Sequence, residues 1–250
     1  MNKFATVNYA VSKGVCTIEL NRPQSLNAMN RQLINETAAA FELANQESNV
    51  KVIIFTGAGR AFCAGDDRNA HTHPQNQAEA RDFVEAIQRV TRAIVGGEKI
   101  VVGAINGWAV GGGFEWAINC DFPIWAKSAK AFFPEVSLNL FVTGGVTSLL
   151  PALVGLTKAR EMLILGEQYD AQTLLELGVA WKIEEDNNLL SCAAEVAGKL
   201  ARLPALSSCA MKRVLNQTAI MRFEHAMDLE TDATVTGFMD PETTKLLKDF

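Results

Sequence analysis

Two glutamates, Glu115 and Glu135, come shortly after residues that restrict or free the backbone conformation, and both are candidates for catalysis. Glu115 follows three consecutive glycines in "VGGGFEWAINCD", and Glu135 follows a proline in "FFPEVSL". A pair of carboxylates can divide acid and base work when their surroundings separate their pKa values. Each glutamate could equally be an ordinary first-turn residue that complements a helix dipole. The glycines favour the catalytic interpretation, because a turn without side chains lets a ligand approach the backbone closely.

Backbone N–H groups are the second part of the predicted chemistry. A helix that begins directly after the triple glycine presents unpaired N–H groups in its first turn. A second glycine loop, "GRAFCAGDD", also follows a buried strand and could supply an N–H group from the opposite side. Two converging N–H donors would stabilise an oxyanion. Together with the two carboxylates, they predict proton transfer next to a carbonyl group.

The sequence lacks the motifs of nucleotide-binding, phosphate-binding, serine-nucleophile and metal sites. Phe62 follows Gly57 and Gly59 at the point where a dinucleotide-binding loop needs a small residue. The triple glycine is not followed by Gly-Lys-Ser/Thr, and the chain has no Gly-x-Ser-x-Gly elbow. The pair His71-x-His73 lacks a nearby third ligand, so we predict a polar surface loop and no metal site.

Strands that alternate with helices must position these groups. "VNYAVSKGVCTIEL" predicts a hairpin that turns at Lys13-Gly14, and two short apolar runs, 51–57 and 99–107, are typical of buried strands. This alternation predicts an α/β fold with parallel pairing and a helical tail. The helix that begins at Phe223 has apolar residues on more than one side, which favours burial against a partner subunit. Helices are predicted over 30–48, 79–95, from Phe114, over 157–165, 171–177, 189–203, 205–216 and from Phe223.

The composition is that of an ordinary globular protein. The chain has 250 residues, of which 48% are hydrophobic and 20% charged. The net charge of −5 argues against nucleic acid or an acidic membrane as a partner. There is no apolar run of about 20 residues and no signal-peptide core at the N-terminus. Five unpaired cysteines without metal-type spacing favour a reducing, cytoplasmic location.

Five segments in this order resemble the crotonase, or enoyl-CoA hydratase/isomerase, superfamily. The similarity covers nearly the whole chain. It rests on "IELNRPQSLNAMN", "GAGRAFCAGDD", "INGWAVGGGFEWAINCDF", "AFFPEVSLNLFVTGGVTSLLPALVG" and "KAREMLILGEQYDAQTLLELGV". The resemblance implies a spiral of β-β-α repeats over residues 1–200, which holds the acyl-CoA site. It also implies a helical trimerisation region over residues 201–250 and a homotrimer or a dimer of trimers.

The resemblance also implies the roles of individual residues. The N–H groups of Asp66 and Gly112 would bind the thioester oxygen, and Glu115 and Glu135 would be the two catalytic carboxylates of a hydratase. No cofactor is required, because the coenzyme A thioester is the substrate. Arg22 is expected near a phosphate. The coenzyme A contacts are expected at Arg22, Ser25, Leu26, Ala28, Phe62, Ala64, Gly65 and Asp66.

The implied reaction is syn addition of water to a trans-2-enoyl-CoA in fatty-acid or related acyl-CoA degradation. Glu115 would help to remove a proton from water as its oxygen adds at C3, and Glu135 would supply a proton to C2. A double-bond isomerase would need only Glu135. Another crotonase-type lyase or hydrolase, or a non-catalytic member that binds coenzyme A or RNA, is a further alternative.

Three features depart from the pattern of the hydratases. Asn139, Val142 and Thr143 replace two glycines and a proline in the segment that shapes the acyl pocket, which leaves the substrate and the reaction open. Trp116 replaces a leucine, and we expect it to pack in the core. The polar loop between Asp67 and Glu79 is expected to cover the acyl site. The printed sequence stops short of the basic tail usual in the family, so we expect the phosphate contact of that tail to be missing or replaced by Lys245 or Lys248.

Overall fold

Two β-sheets form the centre of the molecule. The computed structural model describes residues 4–219 and 223–249, so residues 1–3 of the predicted core and residues 220–222 and 250 of the predicted helical region lie outside it. The strands in the described chain are β1 Val7–Ser12, β2 Val15–Leu20, β3 Val52–Gly57, β4 Ala61–Cys63, β5 Ile100–Ile105, β6 Trp108–Val110, β7 Phe122–Ala126, β8 Lys130–Phe132, β9 Tyr169–Asp170 and β10 Lys182–Glu184.

Helices cover both sheets and form the C-terminal region. In the described residues they are α1 Arg31–Gln46, α2 Gln77–Val95, α3 Gly112–Asn119, α4 Val146–Val154, α5 Leu156–Leu165, α6 Ala171–Glu176, α7 Leu189–Ala201, α8 Ala205–Ala219, α9 Phe223–Met239 and α10 Pro241–Asp249.

From β3 to β8, successive strands alternate between the two sheets. The larger sheet has the order β1-β2-β3-β5-β7-β10, and the smaller sheet has the order β4-β6-β8-β9. The chain runs β3-β4-α2 and then β5-β6-α3, and these strands pair in parallel within their sheets. The predicted α/β spiral of β-β-α repeats is therefore confirmed. β1 and β2 pair antiparallel as the predicted hairpin, with positive φ angles at Lys13 and Gly14.

Helix boundaries follow from local capping. The side chain of Asn30 accepts the N–H of Leu33 at 2.9 Å and starts α1, while Asn76 accepts the N–H of Glu79 at 3.0 Å and starts α2. The cap at Asn76 explains why α2 begins before the predicted residue 79. α4 was not predicted, because it contains Pro151, which normally indicates the end of a helix.

Aromatic side chains hold α3 against the larger sheet. Phe55 on β3 contacts Phe41, Phe62 and Trp116, with ring centroids 4.9, 5.0 and 6.1 Å apart. All four side chains are fully buried. The expectation that Trp116 packs in the core is confirmed. Because Trp116 directly follows Glu115, this packing fixes the backbone from which Glu115 projects.

The C-terminal helices pack against helices that follow strands of the two sheets. α9 packs against α2 and α4, and the amide of Gln88 donates to the carbonyl oxygen of Met227 and the hydroxyl oxygen of Thr231, each at 2.8 Å. Leu229 on α9 is exposed, and α8 exposes Leu206, Met211, Val214 and Leu215. Within the described residues, every helix is too short or too polar to cross a bilayer.

Candidate active site

A groove of about 590 Å³ lies where the two glycine loops meet α9 and the turn after β8. Nine of the eleven site residues expected from the sequence line it: Ser25, Leu26, Ala28, Ala64, Gly65, Asp66, Gly112, Glu115 and Glu135. The structure therefore brings both carboxylates and both glycine loops to one surface. Their individual contacts with a substrate stay predictions.

Glu115 lies at the buried end of the groove. It belongs to the first turn of α3 and is 1% exposed. Its Oε2 accepts the Thr143 N–H at 3.0 Å, and the Thr143 hydroxyl lies 3.4 Å away. A Cβ atom at Gly144 would lie 2.5 Å from the same oxygen, so only glycine fits against this carboxylate. The carboxylate is thus held in one position by the segment that departs from the hydratase pattern.

Glu135 faces the same space from a 3₁₀ turn, Glu135–Leu138, that follows Pro134. A Cβ atom at Gly111 would lie 2.5 Å from its Oε1. Its other oxygen, Oε2, is buried and has no hydrogen-bond partner in the part of the chain that the structure describes. Buried polar atoms are nearly always paired with protein or water. This free oxygen is therefore suited to hold a water molecule or a substrate proton.

Burial and like charge keep protons on this pair of carboxylates. Burial raises the pKa of Glu115 well above its usual range, and the charges of Glu135 and Glu230 raise it further. Burial also raises the pKa of Glu135 to about 7. Two interacting carboxyl groups titrate as a pair, with one proton held while the other is lost. Near neutral pH the pair can therefore offer one acid and one base.

Two backbone N–H groups are left free beside the carboxylates. The Met29 N–H donates to the Gly65 carbonyl at 2.7 Å and the Asp67 N–H donates to the Met29 carbonyl at 3.3 Å, which leaves the Asp66 N–H between them. Gly112 is the first residue of α3, where helical N–H groups have no intrahelical partner. Among residues 4–219 and 223–249, neither N–H has an acceptor.

Gly65 lets the two loops that carry these N–H groups approach each other. It has a φ of +82°, and a Cβ atom there would lie 2.8 Å from the Val110 carbonyl oxygen. Any other residue would be strained in this conformation and would push the loops apart. Both N–H groups belong to loops that line the same groove, and their joint binding of one oxyanion stays a prediction.

We expect Gly111→Ala to damage activity far more than stability alone explains. Gly111 has φ 51° and ψ −124°, and the added methyl group would displace the Glu135 carboxylate. We expect kcat to fall at least about tenfold, since misplaced catalytic groups are costly. Gly178→Ala is the control, because Gly178 has a φ of +78° with no atom within 4 Å. Gly178→Ala should lose about 1–2 kcal/mol of stability in urea unfolding, and Gly111→Ala at least as much, because its methyl group also meets the Glu135 carboxylate. Equal activity in the two variants would contradict the role given to Gly111.

Two of the predicted coenzyme A contacts do not line the groove. The guanidinium of Arg22 donates to the Asp67 carboxylate at 2.8 Å and to the Ala28 carbonyl at 2.5 Å, so it is already engaged within the loops. The ring of Phe62 is fully buried against Phe55, so at most its main chain can face a ligand. Arg60 and Arg68 line the groove instead. Both stand in the quoted glycine loop or directly after it, which is the signal that sequence reasoning missed.

Glu230 on α9 is a buried carboxylate that sequence reasoning also missed. It accepts the N–H of Gly145 at 2.7 Å, and the N–H and hydroxyl of Thr147 at 2.8 and 2.6 Å. It therefore fixes the turn that follows Thr143, the residue bound to Glu115. Burial raises its pKa. The buried side of α9 also holds Thr231 and Thr234, so the sequence pattern does not single out Glu230.

The polar loop before α2 is docked against the C-terminal helices. His71 Nδ1 lies 3.2 Å from Asp66 Oδ2, and the His71 ring packs 5.5 Å from the ring of Phe238. His73 Nδ1 lies 2.9 Å from the Thr244 hydroxyl. The loop thus borders the groove next to the Asp66 backbone.

Comparison with known proteins identifies the family. The sequence model of the enoyl-CoA hydratase/isomerase family matches residues 10–246. The chain belongs to the enoyl-CoA hydratase/isomerase family. It is 34% identical to a crotonyl-CoA hydratase of Syntrophomonas wolfei over 220 residues, which are 88% of this chain and 84% of the relative. It is 32% identical to a 1,2-epoxyphenylacetyl-CoA isomerase of Escherichia coli, over 89% of this chain and 86% of the relative.

Solved structures of the same family share the whole fold. A crystal structure of an enoyl-CoA hydratase from Mycobacterium avium subsp. paratuberculosis superimposes with a TM-score of 0.90 at 26% identity, covering 99% of both chains. Family members with different reaction names are thus about equally similar to this chain. The choice between those reactions depends on the groups in the groove.

Proposed function

We propose that this protein hydrates trans-2-enoyl-CoA thioesters to 3-hydroxyacyl-CoA by syn addition of water. The observation that carries the proposal is the presence of two buried carboxylates, Glu115 and Glu135, in one groove with two unpaired N–H groups. An isomerase needs one carboxylate to move a proton. A hydratase needs a base that takes a proton from water and an acid that gives a proton to C2. Two carboxylates that share one proton can supply both.

The proposed reaction uses these groups in the following order. The thioester oxygen accepts hydrogen bonds from the N–H groups of Asp66 and Gly112, and a water molecule lies between the two carboxylates. Glu115 takes a proton from this water as its oxygen bonds to C3, and the C2–C3 π electrons move to form an enolate held by the two N–H groups. Glu135 then gives its proton to C2. The pair ends with one proton, as it began, and the proton returns to Glu135 through the next water.

The rate enhancement comes mainly from stabilisation of the enolate oxygen by the two N–H groups. Negative charge on the thioester oxygen is larger in the transition state than in the substrate, so the two N–H groups bind the transition state more strongly. Loss of one such donor typically lowers the rate by about 10²–10³-fold. The raised pKa of Glu135, about 7, suits an acid that works near neutral pH.

Coenzyme A binding is proposed on the outer part of the groove. We propose that the adenine ring lies against Ser25, Leu26, Ala28, Ala64 and Gly65, which all line the groove. Arg60 and Arg68 are exposed cations on this groove and would attract the phosphates.

A double-bond isomerase is the second candidate, and one observation favours it. The Thr143 N–H donates to Glu115, and burial keeps the pKa of this carboxyl high. A Glu115 that stayed protonated throughout would leave Glu135 as the one working carboxylate. Variants at Glu115 separate the two functions.

Assembly, pathway and location are part of the same proposal. We propose a homotrimer or a dimer of trimers, because α8 exposes apolar side chains and α4 and α5 expose others, namely Leu153, Leu156, Ile164 and Leu165. A place in fatty-acid or related acyl-CoA degradation and a cytoplasmic location stay predictions. So does the absence of a cofactor, a metal and a nucleic-acid or membrane partner.

The first test is a panel of trans-2-enoyl-CoAs of increasing chain length. Hydration removes the conjugated enoyl-thioester absorbance, and we expect this loss with at least one member of the panel. Tight binding of coenzyme A without turnover of any member would support a non-catalytic binding protein and contradict the proposal.

A further inference from the structure

A second cavity lies on the other side of Asp66 from the groove. It has a volume of about 350 Å³ and lies between the polar loop, α2 and α9. Met29, Asp66, Asp67, Phe83 and Phe238 line both spaces. The two spaces therefore share a wall, at the residue whose N–H is proposed to bind the thioester oxygen. We name the second space the His71 chamber, after the loop residue that lines it.

His71 lines this chamber and carries an unpaired ring nitrogen. Its side chain is 7% exposed. Its Nδ1 lies 3.2 Å from Asp66 Oδ2, while its Nε2 is buried and without a hydrogen-bond partner in the described residues. A buried polar atom without a partner is rare in native proteins and needs an explanation, such as a ligand or an ordered water. The chamber is large enough for part of a ligand.

The partner of Nδ1 determines what Nε2 can bind. In the tautomer that donates the Nδ1 hydrogen to the Asp66 carboxylate, Nε2 carries no hydrogen. Nε2 is then an acceptor and requires a donor such as a hydroxyl group. The same chamber is lined by Glu79 and Asp82, and its one arginine, Arg31, is paired with Asp82 at 2.5 Å. This excess of negative charge disfavours a carboxylate on the ligand.

The rest of the wall suits the carbon chain of an acyl group. Met29, Phe83 and Phe238 supply apolar surface, and the rings of Phe83 and Phe238 meet edge to face with centroids 5.7 Å apart. An acyl chain bound at the Asp66 N–H and extended into the chamber would lie among these side chains and His71, which all line it.

We propose that the His71 chamber receives the distal part of the acyl group, and that His71 selects acyl-CoA substrates whose tail carries a hydroxyl group. The inference rests on the proposed acyl-CoA function and names the substrate class of the same site. The hydroxyl hydrogen bonds to Nε2, while the chain packs against the apolar wall. A tail without a hydroxyl group leaves this nitrogen unpaired, so it binds more weakly.

Binding of saturated thioesters tests the inference without any turnover. We would measure Kd by calorimetry for hexanoyl-CoA against 6-hydroxyhexanoyl-CoA, and for octanoyl-CoA against 8-hydroxyoctanoyl-CoA. For one of these lengths, the hydroxylated ligand should bind the unaltered protein about tenfold more tightly, the size expected of one buried hydrogen bond. His71→Phe should abolish the preference, and His71→Gln, which keeps an acceptor oxygen, should retain part of it.

The outcomes separate this inference from the proposed function. Equal Kd values within both pairs, or the same preference in His71→Phe, would overturn the inference and assign the buried nitrogen to a water molecule. If His71→Phe does not fold, His71→Gln and the unaltered protein still decide the question. Hydration of simple enoyl-CoAs by a protein without hydroxyl preference would leave the proposed function intact. Hydroxyl preference without hydration of any enoyl-CoA would contradict the reaction and leave the specificity in place.

Discussion

Glu115→Gln should lower kcat for hydration by about 10²–10⁴-fold, the range expected for loss of a positioned general base. An amide cannot take a proton from water at neutral pH. Its oxygen can still accept the Thr143 N–H, which donates to the native carboxylate at 3.0 Å, so the side chain should keep its position. The thioester contacts lie elsewhere in the groove, and we therefore expect KM to change much less than kcat.

The same variant separates hydration from isomerisation. If Glu115 is the base for water, Glu115→Gln should abolish hydration and can spare movement of a double bond, which needs only Glu135. Glu195→Gln is the matched control, because Glu195 is an exposed residue of α7 paired with Lys199. A Glu115→Gln protein that hydrates within threefold of the control would rule out the role of Glu115 as base.

Glu135→Gln should lower kcat for hydration by a similar factor, about 10²–10⁴-fold, because the acid that supplies C2 is gone. It should also stabilise the protein at alkaline pH. Burial in the folded protein raises the pKa of Glu135 from 4.5 to about 7, so ionisation of this carboxyl lowers the free energy of unfolding. This difference corresponds to about 3 kcal/mol when the group is fully ionised in both states.

The pH dependence has a definite sign. Between pH 4.5 and about 7 the folded protein binds more protons at Glu135 than the unfolded chain, so stability falls as the pH rises through this window. We expect Glu135→Gln to unfold at higher urea concentration than the unaltered protein at pH 8, with little difference at pH 4. If the difference in urea midpoint between the two proteins were the same at pH 4 and pH 8, Glu135 would not be a buried carboxyl with a raised pKa. Loss of stability at pH 8 would contradict the raised pKa as well.

The sequence predicts those parts of the site whose local signals agree with the tertiary structure. The glycines around Glu115 and the proline before Glu135 are short-range signals, and the structure uses both at the groove. The long helices α1 and α2 were predictable because an apolar stripe and an asparagine cap point to the same element. The confirmed β-β-α repeat follows from buried strands β3 and β5, which are continuous apolar runs.

The rest depends on contacts between distant parts of the chain. β4, β6, β8, β9 and β10 have only two or three residues each, too few for a period to be visible. Arg22 carries a charge that could bind a phosphate, but its guanidinium pairs with the Asp67 carboxylate at 2.8 Å. Glu230 is about a hundred residues from Glu135 in sequence, and only the packing of α9 brings it to the turn beside Glu115. Local pattern contains no information of that kind.

The origin of the product oxygen tests the central claim most directly. The protein would be incubated with the most active trans-2-enoyl-CoA of the panel in water labelled with heavy oxygen, and the product analysed by mass spectrometry. Hydration by the Glu115–Glu135 pair predicts a 3-hydroxyacyl-CoA that carries one labelled oxygen at C3, in the unaltered protein and not in either glutamine variant. An unlabelled product with a shifted double bond would contradict hydration and assign the site to isomerisation.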